Sequence, residues 1–214
     1  MKERKQGIVE VIYGPMFSGK STELIRRIKQ AKVSKFEIVV YNPAIDTRYG
    51  EGQICNHDKD TLVKSLPVID SAALLNDVSR RGGIQKVFID EAQFFDGRIV
   101  GVVDYLMNEL GIDVVLAGLL HDFKGEIFGP MGELLARAHK ITSLAAICTF
   151  DMPDGNICNS SAYFTQRLIN GKPADYDSPV VMVGGAESYT ARCERHWQIP
   201  GRPKIDVEKL FKKC

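Results

Sequence analysis

The sequence predicts an α/β fold, a parallel sheet with helices on both faces, followed by a small C-terminal unit of different character. Three observations carry this. Short apolar runs alternate with helical patterns over the first two thirds of the chain, a glycine-rich loop joins the first run to the first helix, and the alternation stops near Cys148. The runs are Ile8–Tyr13, Phe36–Tyr41, Lys86–Asp90, Ile112–Leu119 and Ile141–Cys148. Most are apolar on both faces, as strands covered on both sides should be. Leu24, Ile25, Ile28 and Ala31 share one face of the helix after the loop. Ile99, Val103, Leu106 and Leu110 do the same further on, with Gly111 placed to end that helix. Residues 149–161 are polar and turn-rich, and 170–187 mix Gly, Pro and Asp around one short apolar stretch.

Bulk composition narrows the function classes. A chain of 214 residues with 44% apolar content fits one medium domain with an appendage. A net charge of +1 offers no electrostatic case for nucleic-acid or anionic-membrane binding. No apolar run reaches spanning length, and Met1–Gln6 lacks the apolar core of a secretory signal. Five cysteines, an odd number, fit a reducing cytoplasm, where clustered cysteines are metal ligands more often than disulfides.

The loop Gly14-Pro15-Met16-Phe17-Ser18-Gly19-Lys20-Ser21 fits the phosphate-binding pattern G-x-x-x-x-G-K-[ST], with a strand before it and a helix after it. Its glycines let successive N–H groups turn inward to phosphate oxygens. Lys20 is placed to reach the β- and γ-phosphates, and the Ser21 hydroxyl to ligate Mg²⁺. The run ending Ile89-Asp90-Glu91 adds two carboxylates at a strand end. Alone, that pair is an ordinary solvated terminus. Beside a phosphate loop, Asp90 is assigned to the magnesium shell and Glu91 to general-base work.

Cys193-Glu194-Arg195-His196 sets a thiol and an imidazole at the spacing of one zinc knuckle, and Cys148 and Cys158 are available to complete four ligands. Nine residues separate Cys148 from Cys158, more than the usual two to four. A structural zinc site and a set of ordinary buried thiols with a surface histidine therefore both stand at this point. Cys55 and Cys214 have no ligand-like neighbours.

Taken in order, GPMFSGKSTELIRR (14–27), NPAIDTRY (42–49), FIDEAQFFD (88–96), AGLLHDFKGEIFG (117–129), FTQRL (164–168) and VGGAESYTARC (183–193) closely resemble the thymidine kinase family shared by many bacteria, animals and poxviruses. The resemblance implies a RecA-like P-loop sheet over 1–147, a zinc-tethered lasso unit over 148–202, and a tail over 203–214. It implies transfer of the ATP γ-phosphate to the 5′-hydroxyl of thymidine, with deoxyuridine as a second acceptor. Inhibition by dTTP and a cytoplasmic homotetramer are further expectations.

The resemblance assigns Glu91 as the catalytic base. ATP is expected on Gly14 through Ser21, with Asp46, Arg48, Asp90, Ala92 and Gln93, and Mg²⁺ on Ser21 and Asp90. Thymidine is expected among Met16, Phe94, Leu119, Phe123, Phe128, Thr165 and Tyr189, with lasso residues Val180, Val181, Met182, Val183 and Gly184. Zinc is expected on Cys148, Cys158, Cys193 and His196. The chain departs from the family where most members carry Cys-x-x-Cys. Cys158 keeps its distance from FTQRL, so the change resembles an insertion after Cys148, with Asp151 as the alternative ligand.

Overall fold

The computed structural model describes residues 6–45, 53–55, 62–180 and 189–204. Along the chain these form β1 (Val9–Tyr13), α1 (Lys20–Val33), β2 (Ile38–Pro43), β3 (Gln53–Cys55), β4 (Leu62–Lys64), β5 (Leu66–Val68), α2 (Ser71–Arg81) and β6 (Lys86–Ile89). A 3₁₀ turn at Ala92–Phe94 follows, then α3 (Ile99–Asn108), β7 (Asp113–Gly118), α4 (Met131–Ala136) and β8 (Lys140–Ser143). The C-terminal part adds β9 (Ala146–Ile147), β10 (Ser161–Ala162), β11 (Phe164–Ile169), β12 (Lys172–Pro173) and β13 (Tyr189–Arg192).

Six strands form one parallel sheet in the order β5-β2-β6-β7-β1-β8. Alternate residues of its central strands enter separate cores. Val9, Val11, Val87, Ile89, Val114 and Leu116 pack with α2, α3 and α4 on one face. Ile12, Phe88, Val115 and Ala117 pack on the other with α1 and the β3–β4 hairpin. The continuous apolar runs are therefore two-faced strands, each side meeting its own layer. In α1 the expected stripe, Leu24, Ile25, Ile28 and Ala31, is buried.

Two expectations need correction. Leu110 lies past the end of α3 and is 43% exposed, so it is not part of the buried stripe. Gly111 takes a positive φ of 66° there and lets the Ile112 N–H return to the Leu106 carbonyl at 2.9 Å. The run Ile141–Cys148 is not one buried strand. Its first half is the edge strand β8, with Ile141 55% exposed. Leu144 donates its N–H to the Tyr13 carbonyl at 2.8 Å, and the chain then leaves the sheet. Ala146–Ile147 pairs antiparallel with Ser161–Ala162 instead.

The C-terminal strands build two small antiparallel sheets, β10-β9 and β12-β11-β13. A compact core of Ala146, Cys148, Ala162, Ala191 and Cys193 lies among them, with Phe150 and Cys158 against it.

Candidate active site and metal cluster

At the carboxyl end of β1 the chain turns sharply at Gly14. A Cβ there would stand 2.4 Å from the Leu144 carbonyl oxygen and 2.6 Å from Ser18 Oγ, so the turn admits only glycine. Within the loop, Ser18 Oγ and Lys20 Nζ both donate to the Pro15 carbonyl at 2.8 Å. Gly19, at φ 84°, opens α1. The N–H groups of the first helical turn have no acceptor within the helix, and with the Lys20 ammonium they form a cationic mouth suited to phosphate. Phe17 stands exposed at its rim.

The second half of the site comes from the end of β6, which β7 separates from β1. Asp90 is 6% exposed, and its Oδ1 accepts the Glu91 N–H at 3.0 Å. Burial, followed by the neighbouring Glu91 charge, raises the Asp90 carboxyl above the ordinary carboxylate range. The Glu91 N–H, the Lys20 charge and a hydrogen bond from Ser21 oppose that rise. A buried acid beside a serine hydroxyl and an anion-binding loop is a donor set suited to Mg²⁺, a hard cation that takes oxygen ligands.

Glu91 itself occupies left-handed backbone, φ 49° and ψ 44°. For a non-glycine residue this costs about 1–3 kcal/mol and persists only where its surroundings enforce it. The buried Gln93 side chain anchors the Glu91 carboxylate. Its Nε2 donates to Glu91 Oε2, and its Oε1 accepts the Leu119 N–H at 3.0 Å. Gln93 thus ties the Glu91 carboxylate to the segment after β7. Ala92 is buried in the turn between them.

Aromatic residues line the far side of this end. Phe94 and Phe128 meet edge to face, centroids 5.4 Å apart at 82°. Phe123 is 3% exposed, with the Arg167 guanidinium 5.5 Å from its ring centroid. Leu119 is half-buried where β7 has ended. Thr165 on β11 is buried, and its Oγ1 accepts the Met16 N–H at 3.0 Å. That bond leaves the hydroxyl proton free to donate.

Tyr189 is half-buried and pairs with Arg167 across β11 and β13. Val180 is half-buried, and the preceding Pro179 carbonyl accepts from Arg167 Nη1. A cavity of about 220 Å³ abuts Gly14, Pro15, Leu120, His121, Leu144 and Thr165; of the residues expected around thymidine it includes Thr165 alone. Asp46, Arg48, Val181, Met182, Val183 and Gly184 lie outside the described residues.

Cys148, Cys158, Cys193 and His196 come together with all their ligand atoms within 4.8 Å of one another. Cys158 Sγ lies 3.8 Å from Cys193 Sγ, while His196 Nδ1 lies 3.6 Å from Cys148 Sγ and 3.4 Å from Cys193 Sγ. A tetrahedral zinc with ordinary Zn–S and Zn–N bonds sets sulfurs about 3.8 Å apart and sulfur from nitrogen about 3.6 Å. The cluster has those dimensions. Hydrogen bonding from the Ser160 hydroxyl and N–H lowers the Cys158 thiol to about 6, the direction a thiolate ligand needs, whereas burial pushes Cys148 up.

The long Cys148–Cys158 interval is absorbed by a hairpin. Asp151 bridges Ile157, the Cys158 N–H reaches the Phe150 carbonyl at 2.8 Å, and Gly155 turns the tip. Asp151 sits exposed on that hairpin and is not in the ligand group. The imidazole of His196 stacks on Phe150, centroids 4.1 Å apart.

Compared with known protein families, residues 7–197 match thymidine kinase. The chain belongs to the thymidine kinase family. Members of this family are phosphotransferases, so the chain is a kinase acting on thymidine with a phosphate donor. Among the described residues, no helix is long and apolar enough to cross a membrane.

In this thymidine kinase the structure brings the phosphate loop, Asp90, Glu91 and Gln93 together at one end of the sheet, and the three thiols and imidazole at one point of the C-terminal unit. Sequence reasoning missed Gln93 as the link between Glu91 and Leu119. It also missed Gln166, whose buried amide bonds the Gln198 backbone on both its carbonyl and N–H. A polar residue inside an otherwise buried strand was the available signal for Gln166.

Proposed function

We propose that this thymidine kinase uses ATP and Mg²⁺ to phosphorylate the 5′-hydroxyl of thymidine, and of deoxyuridine, yielding the 5′-monophosphates for pyrimidine deoxynucleotide salvage. The observation carrying this reading is the placement of the buried Asp90, next to Glu91 at the end of β6, beside the Lys20 charge and the Ser21 hydroxyl of the phosphate loop. Gly14 through Ser21 cradle the phosphates, and Lys20 swings from the Pro15 carbonyl to the β- and γ-phosphate oxygens. Ser21 and Asp90 would hold Mg²⁺, which would supply charge neutralisation at those phosphates. Asp46 and Arg48 order the phosphate region.

Glu91 accepts the 5′-hydroxyl proton as that oxygen attacks the γ-phosphorus in line and the ADP oxygen leaves opposite. Gln93 holds the Glu91 carboxylate against the segment beside the nucleoside. Met16, Phe94, Leu119, Phe123 and Phe128 pack around thymine, and the Thr165 hydroxyl proton donates to the base edge. Backbone groups of Val180, Val181, Met182, Val183 and Gly184 close over the base, and Tyr189 contacts the sugar. Closure of that segment excludes water, which would otherwise take the phosphoryl group.

Zinc on Cys148, Cys158, Cys193 and His196 is structural, because four protein ligands leave no open position. The units span 1–147 and 148–202, with a tail at 203–214; the protein works in the cytoplasm as a homotetramer inhibited by dTTP. The test is ATP-dependent phosphorylation of thymidine, deoxyuridine, deoxycytidine, deoxyadenosine and dTMP with Mg²⁺. Turnover of thymidine and deoxyuridine alone, suppressed by dTTP, is expected. Turnover of dTMP, or ATP hydrolysis without transfer, overturns the reading.

A further inference from the structure

We propose that Trp197 is a positioning residue for the nucleoside pocket, fixing the main chain of Phe123 and linking that wall to the cysteine–histidine cluster. This rests on the thymidine reading above. Trp197 directly follows the ligand-cluster residue His196. Its indole Nε1–H donates to the Phe123 carbonyl at 3.2 Å. One ring face stacks on Phe164, centroids 4.3 Å apart at 17°, and Phe164 adjoins Thr165 on β11. The Arg202 guanidinium lies 5.3 Å from the indole centroid.

The half-buried indole is held at both faces and along one edge. A Cβ at Gly125 would come within 2.6 Å of its Cη2, so the loop carrying Phe123 lies against the ring edge as only glycine allows. The next residue, Gln198, is pinned by Gln166: its N–H donates to Gln166 Oε1 at 2.8 Å, and Gln166 Nε2 donates to its carbonyl at 2.9 Å. Gln166 is 1% exposed on the strand that carries Thr165. Rotating the indole off this seat breaks its stack on Phe164 and its bond to Phe123. Arg167 meets the Phe123 ring while Trp197 holds its carbonyl, so ring and main chain are fixed from two directions.

The contacts of Trp197 run to Phe123, Phe164, Gly125 and Arg202, on the acceptor side, so its effect falls on thymidine binding and not on the chemical step. Trp197→Phe keeps an aromatic ring against Phe164 and deletes the donor. The expected result is a thymidine KM raised roughly three- to tenfold, the size of one lost hydrogen bond. The ATP KM and kcat stay within about twofold. In a Phe123→Ala background the same substitution adds little, because the ring whose position it sets is gone although the bonded carbonyl remains.

The chain has a single tryptophan, so emission from the full-length enzyme reports this indole alone. Saturating thymidine should reduce acrylamide quenching of that emission, and this holds the proposal to a test on unaltered protein should the variant fail to fold. An unchanged thymidine KM overturns the proposal. So does an equal loss across kcat and both KM values, which would mark a merely structural role, and so does quenching insensitive to thymidine. Unaltered enzyme that transferred no phosphate to thymidine would refute the kinase reading itself and this inference with it.

Discussion

Thr165 Oγ1 accepts the Met16 N–H at 3.0 Å, joining the three-stranded C-terminal sheet to the middle of the phosphate loop. Donor-side and acceptor-side residues therefore share one hydrogen bond. Thr165→Val keeps shape and removes the acceptor, leaving a buried contact without its polar partner. We expect a loss of about 1–3 kcal/mol in stability and higher KM values for both substrates, measured by thermal unfolding and steady-state kinetics.

Glu91→Gln removes the base while keeping size and most contacts. Its kcat should fall by about 10²–10⁴, with thymidine affinity nearly unchanged by calorimetry. Glu91→Gly makes a separate point. It abolishes the base but relieves the left-handed backbone at φ 49°, so it should unfold at a higher temperature than the parent. A lower melting temperature would show that the lost Gln93 bond outweighs the backbone strain relieved.

Gln93→Leu fills similar volume but removes both halves of the bridge between Glu91 and Leu119. The Leu119 N–H loses its acceptor, at about 1–3 kcal/mol, and the Glu91 carboxylate loses its tether. The expected signature is lower kcat and lower stability together.

Metal analysis of the purified protein should give one zinc per chain. Cys193→Ser, or a strong chelator, should lower the melting temperature by several degrees and expose β9, β10 and β13 to faster amide exchange, since these strands surround the cluster. The parallel sheet should keep its protection.

Acid stability should depend on Asp96. Its carboxylate accepts the Ser71 N–H at 2.9 Å and the Ser71 hydroxyl at 2.8 Å at the start of α2. Bonding from Arg98 foremost holds it well below the usual carboxylate range. A depressed folded-state value means its contribution is complete above the unfolded value, near 4, and is lost as pH falls toward the folded one. Asp96→Asn should cost about 1 kcal/mol at neutral pH, and the difference from the parent should shrink as pH falls below about 4.

The central sheet was legible because its strands meet apolar layers on both sides, and such runs stand out against any background. The phosphate loop was legible because its geometry demands particular residues in sequence. Helix α2 escaped notice although Asp70 caps it, accepting the Ala73 N–H at 2.8 Å, because only Ser71, Leu74 and Val78 are buried along it. The run Ile141–Cys148 misled for the opposite reason. Its composition suits a buried strand, yet β8 is an edge and the chain must leave it to reach the cysteines. Gln93 reaches Leu119 and Trp197 reaches Phe123 across long stretches of sequence, so no local pattern announces those links.

Cys148 and Cys158 stand at the two feet of a closed hairpin, held there by bonds between the Cys148 N–H and the Ser160 carbonyl, and between the Asn159 N–H and the Cys148 carbonyl. Cross-strand pairing at the base, and not the count of residues between them, keeps the sulfurs together. The hairpin tip can lengthen or shorten while the ligand tetrahedron stays as it is. Interval length is then a poor guide to such a centre, and a search fixed on short cysteine spacings would pass over proteins whose knuckles have grown outward in this way.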